Sequence, residues 1–211
     1  MKIKVVLTAI LIFTVSMQVQ SQETIKLIDA QKNSGKPLME ALSLRQSSRN
    51  FINKPLTDQQ LSNLLWAAFG INRPESGKRT APSARNWQEI DIYLTTANGV
   101  YLYNAKDHSL IKISSEDIRA MAGKQDFVKD AAVNLIYVAD YSKTGDSSQE
   151  DKLLYSGADT GFIAENVYLY CASEGLGAVV RGMVDRDILS KKLNLKEQQK
   201  IMLSQSVGYT K

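Results

Sequence analysis

The 211-residue sequence predicts a single α+β domain, because helical and strand-like segments are mixed along it and no internal repeat is present. Leu61, Leu64, Leu65 and Ala68 recur at helical spacing and mark the clearest helix. Asn98–Gly99 is a dipeptide typical of tight hairpin turns, and alternating segments flank it on both sides. With 44% hydrophobic and 23% charged residues, the chain has enough apolar material for one core.

Residues 1–21 predict a secretory leader. Lys2 and Lys4 precede the apolar run Val5–Val15, and a small polar stretch follows it, with cleavage expected near Ser21. The apolar run is short for a membrane span. We therefore expect an exported, periplasmic protein whose mature chain has no stable membrane span.

Charge, cysteine and histidine content exclude several classes of function. The formal net charge is +4, and two lysines of the leader contribute half of it, which is too little to predict a nucleic-acid partner. A single cysteine, Cys171, excludes an internal disulfide and a cysteine-based metal cage. The single histidine, His108, is expected on the surface of a turn, so neither a serine-hydrolase triad nor a histidine-rich metal site is predicted. No metal is expected.

Capping and stop signals predict the helices. Residues 22–36 predict an N-terminal arm, either flexible or forming a strand against a partner, and the domain proper is expected at 37–211. Pro37 is expected to open the first helix, and a capping box of Thr57 and Gln60 starts the second, which stops at Gly70. The remaining helices are predicted from Ser114 to Gly123, over Tyr155–Ser173, and from Asp185 or Asp187 to Leu193.

Alternation and turn signals predict the strands. Ala132–Ala139 is apolar enough for a buried central strand. Asn72–Lys78 and Lys143–Glu150 are expected to be loops, the second a mobile lid. The other strands are predicted at Ile90–Thr96, Val100–Tyr103, Leu110–Ile113, Ala178–Val180 and Lys200–Val207.

A polar loop at Thr80–Gln88 separates the second helix from the first long strand. Ser83, Arg85, Asn86 and Gln88 offer donors and acceptors to a polar ring system and its sugar chain. The alternative is a plain connector between two elements. Trp87, within the same loop, is expected to be a core or interface anchor.

Two further polar segments have competing interpretations. Arg45–Arg49 places two guanidinium groups and two hydroxyls within five residues, which suits a phosphate; the alternative is a solvated helix end. Gly175 and Gly177 are read as a helix stop, because their spacing to Gly182 does not fit a dinucleotide-binding fingerprint.

Taken together, these segments resemble the flavin-dependent nitroreductase family. The resemblance rests on Arg45-x-Ser47-x-Arg49, then Pro82-Ser83-x-x-Asn86-x-Gln88, then Glu174-Gly175-Leu176-Gly177 shortly before Gly182, and it covers Leu38 to Tyr209. It implies a nitroreductase-like fold, with a central mixed, mainly antiparallel sheet flanked by helices, in a homodimer. The hairpin at Gly99–Asn104 further resembles the SagB-type branch that contains thiazole/oxazole-forming dehydrogenases.

The resemblance also implies a cofactor, FMN, and the residues that bind it. Arg45, Ser47 and Arg49 match the family's phosphate and ribityl contacts, with Gln46 adding backbone contacts. Pro82, Ser83 and Asn86 match the loop that meets the isoalloxazine and ribityl groups. Arg181 and Gly182 match the catalytic pair that lies over the flavin with a backbone N–H toward N5, and Lys211 matches a further basic phosphate contact in a truncated tail.

The implied activity is that of an FMN-dependent oxidoreductase. Hydride would pass through flavin N5 from an NAD(P)H-type donor to a nitroaromatic or quinone-like small molecule in a ping-pong cycle. One alternative is a dehydrogenase that oxidises a ring in a peptide or small molecule, and another is a non-catalytic flavin-binding protein. Export conflicts with an NAD(P)H donor, and every interpretation requires Arg45–Arg49, Thr80–Gln88 and Arg181–Gly182 to converge.

Overall fold

A seven-stranded sheet forms the centre of the computed structural model, which describes residues 23–211. The predicted leader lies outside the described residues. The strands are β1 (Thr24–Lys26), β2 (Ile71–Arg73), β3 (Lys78–Arg79), β4 (Ile90–Thr96), β5 (Gly99–Asn104), β6 (Ser109–Ser114), β7 (Val133–Asp140), β8 (Gly177–Arg181) and β9 (Gln199–Gly208). The helices are α1 (Leu38–Leu44), α2 (Asp58–Phe69), α3 (Gln149–Glu174) and α4 (Arg186–Lys192).

The sheet has the strand order β1-β6-β5-β4-β7-β9-β8, and its neighbouring strands run antiparallel. A bridge between Ser47 and Ala178 adds a parallel contact at the β8 edge. Strands β2 and β3 form a separate two-stranded ribbon. The predicted α+β class, with a mainly antiparallel sheet flanked by helices, is therefore confirmed.

Both faces of the sheet are covered, which explains why the central strand β7 is apolar along most of its length. Leu135 and Tyr137 pack into the larger core cluster, together with α2 and α3. Ile136 and Val138 point the other way, into a second cluster that contains residues of α4. The predicted central strand is thus confirmed, and α3 and α4 lie on opposite faces.

Several helix and turn boundaries that were predicted from local sequence patterns are present in the structure. Thr57 and Gln60 form the predicted capping box of α2, and Ser148 and Gly175 bound α3, with Gly175 in the left-handed region at φ 69°. Gly99 closes the β4–β5 hairpin at φ 134°, where an added Cβ would lie 2.2 Å from the Ser114 carbonyl oxygen. A side chain at that position is therefore excluded by both the backbone conformation and the close contact.

The N-terminal arm differs from its prediction, because its strand pairs within the same chain. β1 pairs with β6, and Leu27 is buried. Beyond it, the backbone N–H of Gln31 donates to Asn63 Oδ1 at 2.8 Å, which ties the segment to α2. The domain therefore includes residues that precede the predicted start at residue 37.

Other boundaries also differ from the sequence prediction. α1 ends at Leu44, so Arg45–Arg49 is not on a helix, and Pro37 is the residue before its first turn. The Ser114–Gly123 helix is reduced to a 3-10 turn at Arg119–Ala122, because Ser114 caps a local turn at Glu116 instead. The predicted loops are partly ordered: residues 72–78 belong to the β2–β3 ribbon, and α3 begins at Gln149.

Large apolar side chains are exposed on both α1 and α3. On α3, Phe162 is 48% exposed, and an added Cβ at Gly157 or Gly161 would meet no atom within 4 Å. The other large apolar side chains of this surface are Leu38, Met39, Leu42, Leu153 and Leu154. We call this set the α1–α3 face. Within residues 23–211, no helix has the length and apolar character needed to cross a membrane.

Candidate functional site

The segment that contains Arg45–Arg49 is extended and is held between two other parts of the backbone. Ser48 N–H donates to the Ala178 carbonyl oxygen of β8 at 2.9 Å. Two residues after Arg49, Phe51 forms a bridge with Thr210. Lys211 N–H donates to the Asn50 carbonyl oxygen at 3.1 Å, so the last residue lies next to the residue that follows Arg49. Long-range backbone pairing therefore brings the three predicted basic residues to one region.

Tyr168 of α3 connects this segment to β8. Its hydroxyl oxygen accepts the Val180 N–H at 2.8 Å, which leaves the hydroxyl proton for Ser47 Oγ at 3.0 Å. The Arg45 guanidinium lies 5.4 Å from the Tyr168 ring centroid, within the range of a cation–π contact. A cavity of about 230 Å³ opens here, lined among others by Gln46, Ser48, Tyr168, Ala178 and Thr210.

The positive charges of this region have no acidic partner. Within the described part of the chain, neither Arg45 nor Arg49 forms an ion pair with a carboxylate. Arg49, Gln46 and Ser47 are exposed, and Arg45 is half-buried. Guanidinium groups without carboxylate partners, on the same segment as a hydroxyl, are chemically suited to a phosphate or another anion.

Arg181 and Gly182, the predicted pair at the end of β8, differ in exposure. The Arg181 guanidinium is buried and donates to the Ala122 carbonyl oxygen, to Asn134 Oδ1 at 3.1 Å and to Ser204 Oγ at 2.9 Å. Burial lowers the pKa of Arg181 to about 10. The structure therefore places this charge in a core network, and Gly182 is the exposed member of the pair.

The Thr80–Gln88 loop adopts a strained backbone. Arg85, Asn86 and Gln88 have φ angles of 51°, 55° and 48°, and such left-handed residues cost about 1 to 3 kcal/mol each. Gln88 N–H donates to Ser83 Oγ at 2.8 Å, and Arg79 Nε donates to Gln88 Oε1 at 2.8 Å. These contacts over-determine the loop, as expected where strain persists.

Two residues of α3 anchor the same loop. Asp159 Oδ2 accepts the Ala84 N–H at 2.9 Å. Trp87 packs edge-on against Tyr155, with ring centroids 5.8 Å apart, which is the anchoring role expected for it. The exposed members of the loop include Pro82, Arg85 and Asn86, whereas Ser83 is half-buried and already hydrogen-bonded. The polar loop was predicted from the sequence, but its attachment to α3 was not.

The two predicted regions border the same helix at different heights. The loop contacts α3 at Asp159, and the Arg45–Arg49 segment contacts it at Tyr168, nine residues later. At 1.5 Å per residue, the two contacts are about 14 Å apart along the helix axis. Across residues 23–211, no hydrogen bond or ion pair joins the loop to Arg45–Arg49. Nine residues also make about two and a half turns, so the two contacts lie on opposite sides of α3, and within one chain the regions are not joined.

Two buried carboxyl groups beside the loop were missed by sequence reasoning. Glu89 is 0% exposed and Asp159 is 2% exposed, and burial raises the pKa of both groups. The signal was available in α3, where Ser156, Asp159 and Thr160 occupy the stripe that continues into Ile163. Polar residues at helical spacing on a core-facing stripe indicate a buried polar contact.

His108 is not the surface residue that was predicted. Its Nε2 lies 2.7 Å from Ser62 Oγ, and its Nδ1 lies 3.0 Å from the Tyr103 hydroxyl. Because Ser62 Oγ donates to the Ile28 carbonyl oxygen, it accepts a proton from Nε2–H. Burial lowers the pKa of His108, which favours this neutral form. The imidazole joins the turn before β6 to α2.

Two further features bear on the site. A larger cleft of about 1100 Å³ is lined by residues that include Lys32, Trp66, Arg79, Gln88 and His108, but by none of the predicted cofactor residues. In the part of the chain that the structure describes, no group of three or more His, Cys, Asp or Glu side chains could hold a metal ion. The cofactor prediction therefore depends on the regions along α3.

The fold and this site define an α+β protein with basic residues at one sheet edge and a polar loop on the same flanking helix. The chain belongs to the nitroreductase family, whose model matches residues 42–209. The resemblance deduced from the sequence is thereby confirmed for the family, and its SagB-type branch stays a prediction.

Individual relatives agree with this assignment. The provisionally named nitroreductase MJ1384 of Methanocaldococcus jannaschii is 32% identical over 200 residues, covering 90% of this chain and 95% of that protein. A provisionally named nitroreductase of Ralstonia eutropha has a solved structure that matches with a TM-score of 0.86 at 42% identity, covering 91% of each chain. The NADPH:FMN oxidoreductase of Vibrio harveyi matches with a TM-score of 0.62 at 23% identity, covering 82% of this chain and 68% of its own, which shows a shared fold.

Proposed function

We propose that the protein is an FMN-dependent oxidoreductase that passes hydride through flavin N5, from an NAD(P)H-type donor to a nitroaromatic or quinone-like acceptor in a ping-pong cycle. Membership of the nitroreductase family indicates an oxidoreductase. The observation that supports the cofactor assignment is Arg45, which lies over the Tyr168 ring without an acidic partner among the described residues, beside the Ser47–Tyr168–Val180 hydrogen bonds, with Arg49 on the same extended segment. When bound, FMN supplies the redox chemistry.

The residues present fit the phosphate end of FMN. Arg45 and Arg49 supply two positive charges, and Ser47 supplies a hydroxyl that is held by Tyr168. Lys211 is placed next to Asn50, so a third positive charge is available in the same region. The combined charge matches a phosphate, which carries up to two negative charges near neutral pH.

The residues of the loop fit the ring end in a different way. Ser83 uses its hydroxyl to hold the Gln88 N–H and Glu89, so its role is to fix the loop. Pro82 and Asn86 are exposed; Asn86 Oδ1 accepts a hydrogen bond from Gln88 Nε2 at 3.2 Å, so its amide NH2 is the group that would donate to a ligand. Gly182 is exposed at the end of β8; its carbonyl oxygen accepts from Val184 N–H and from Arg186, so its N–H is the backbone group that would face the flavin. The positive charge of Arg181 contributes through the core and not by contact.

A homodimer is part of this proposal. The α1–α3 face is apolar and exposed, and a single chain rarely leaves such a surface uncovered. Because the loop and Arg45–Arg49 both attach to α3, a second copy seated on this face would bring residues of two chains to each cofactor. In such a dimer, the loop of one chain and Arg45–Arg49 of the other could meet at one cofactor, which the two regions of a single chain do not do.

The first prediction concerns the phosphate. Replacing Arg45 by Ala should weaken FMN binding about ten- to a hundredfold, since a hydrogen bond to a charged group contributes about 1.5 to 3 kcal/mol. Riboflavin binding, which involves no phosphate, should be unchanged. Titration of the apoprotein with both flavins measures the two affinities, and Lys200→Ala is the control because that exposed lysine lies on β9. A wild-type protein that takes up no FMN would end the cofactor assignment.

The second prediction concerns the reaction. FMN-loaded protein should be bleached by NADH or NADPH before any acceptor is added, and a quinone or nitroaromatic should then restore its colour. Initial rates with both substrates varied should give the parallel double-reciprocal lines of a ping-pong cycle. Bleaching by a peptide or small-molecule ring substrate without nicotinamide would favour the dehydrogenase alternative. Tight FMN binding without turnover by any pair would favour a binding protein.

The third prediction concerns the dimer. Phe162→Glu places a charge in the α1–α3 face and should convert a dimer to a monomer with weakened FMN binding, because burying an unpaired charge is costly. Light scattering coupled to gel filtration measures the mass. Ile188→Glu is the matched control, since Ile188 is 51% exposed on α4, across the sheet. A wild-type chain that stays monomeric at micromolar concentration would contradict the proposal.

The fourth prediction concerns location. We propose that the protein is exported and cleaved near Ser21, so the form in the periplasmic fraction should begin close to Gln22. Cell fractionation followed by N-terminal sequencing tests this. Recovery of the chain with intact Met1 from the cytoplasm would refute export. If export holds, the physiological electron donor is a reductant other than cytoplasmic NAD(P)H.

A further inference from the structure

Glu89 and Asp159 form a buried acidic pair between the Thr80–Gln88 loop and α3. Asp159 Oδ2 accepts the Ala84 N–H at 2.9 Å, and Glu89 Oε2 accepts the Ser83 hydroxyl proton at 3.3 Å. The Ser83 proton is available for this bond because Ser83 Oγ itself accepts the Gln88 N–H. Each carboxyl group therefore holds one residue of the loop.

No positive charge compensates this pair. Among the described residues, no arginine, lysine or histidine forms an ion pair with either carboxyl group. The groups that face Glu89 are Tyr141, which follows β7, and Ser156 and Asp159 of α3. Two carboxylates that share a desolvated site cannot both ionise without a large cost, so one of them retains a proton.

Within the described residues, several buried polar atoms near the Glu89–Asp159 pair lack hydrogen-bond partners. In the described part of the chain, Glu89 Oε1, Ser156 Oγ and Thr160 Oγ1 are buried and have no partner at hydrogen-bond distance. The two hydroxyls can donate or accept, and a proton on the Glu89 carboxyl group would let this group donate as well. A second ionised carboxylate would add only acceptors and repulsion.

The loop depends on these contacts because its own backbone opposes the conformation. Arg85, Asn86 and Gln88 are all left-handed, at a combined cost of several kcal/mol. The attachments of the loop to α3 are the Asp159 hydrogen bond and the Trp87–Tyr155 contact. Loss of the first would leave the strained turn held on that side by one aromatic contact.

We propose that Glu89 and Asp159 are positioning residues that share one proton and thereby hold the Pro82–Asn86 segment against α3. This rests on the proposed function in one respect, since it is the flavin contact of that segment that the pair would control. Both pKa values are raised, so the protonated form is favoured in the folded protein. Both loop contacts are accepted by carboxyl oxygens, so they persist while the pair retains at least one proton. As pH rises through the raised pKa the second carboxylate ionises, and repulsion between two buried charges then opposes the contacts.

The first part of the test measures the conformation of the loop in the absence of flavin. The chain has two tryptophans, so Trp66→Phe leaves Trp87 as the only emitter, in contact with Tyr155. As pH is raised above the ordinary carboxyl pKa of about 4, Trp87 emission of the apoprotein should shift to the red at the pH where the pair loses its proton. Adding Glu89→Gln, which keeps the shape and cannot ionise, should abolish that shift. Glu165→Gln, at an exposed position on α3, should leave it unchanged.

The second arm measures FMN affinity over the same range. The wild-type dissociation constant should rise by up to about tenfold per pH unit above the transition, because one proton is linked to binding. Glu89→Gln should remove this dependence and keep the tight affinity, whereas Glu89→Ala should bind weakly at every pH. Any titration of the FMN phosphate affects both proteins alike and cancels in the comparison.

Each outcome decides the proposal. A Trp87 transition that persists in Glu89→Gln, or a parent protein that stays folded without any transition, would overturn it. If the wild-type chain binds no FMN, the proposed function fails while the tryptophan arm still decides the pair. If Glu89→Ala does not fold by circular dichroism, Glu89→Gln carries the test alone.

Discussion

The packing of α3 on the sheet is the constraint on which both parts of the site depend. Ile163, Val167 and Cys171 of this 26-residue helix are fully buried against α2 and the sheet. Gln205 of β9 also donates to the Ala164 carbonyl oxygen at 3.2 Å, which fixes the helix along its axis. Because a packed helix is rigid, the positions of Tyr155, Asp159 and Tyr168 are set together, and so are the segments that they hold.

On the opposite face of the sheet, the buried guanidinium of Arg181 holds β8 in position. Arg181 donates to neutral acceptors, which include Asn134 and Ser204. Within residues 23–211 it forms no ion pair. Losing an acceptor would leave a buried charge uncompensated, which costs several kcal/mol. These bonds join β8, β9 and β7. They therefore determine where β8 ends and where Gly182 is presented, although the guanidinium itself lies in the core.

The sequence predicted well those features that depend on neighbouring residues. The bounds of β4, the capping box of α2 and the stop of α3 follow from alternation, side-chain capping and a left-handed glycine, and all are local. Failures occurred where the partner is distant. Arg45–Arg49 reads as a helix end by local pattern, but backbone bonds to Ala178 and to the C-terminal residues make it extended. His108 was predicted to be a surface residue of a turn; it does lie in a turn, but its hydrogen bond to Ser62, 46 positions away in the chain, makes it half-buried.

In the candidate site, too, local features were predicted from the sequence and long-range contacts were not. Its residue types and their order are visible in the sequence, which is why the family assignment succeeds. The buried pair of Glu89 and Asp159 is not visible, because its members are seventy residues apart and meet only through α3.

Three unsatisfied features lie along this one helix: arginines without carboxylates near Tyr168, the exposed Phe162, and the strained turn at Asp159. An anion would satisfy the first, and an apolar surface would cover the second. Neither occupant alone accounts for both ends of a 14 Å separation (about nine residues of helix). Under the proposed function, FMN bound beside a second copy of the chain would meet the first two, and its ring would add a contact to the strained turn, which Asp159 and Trp87 already hold.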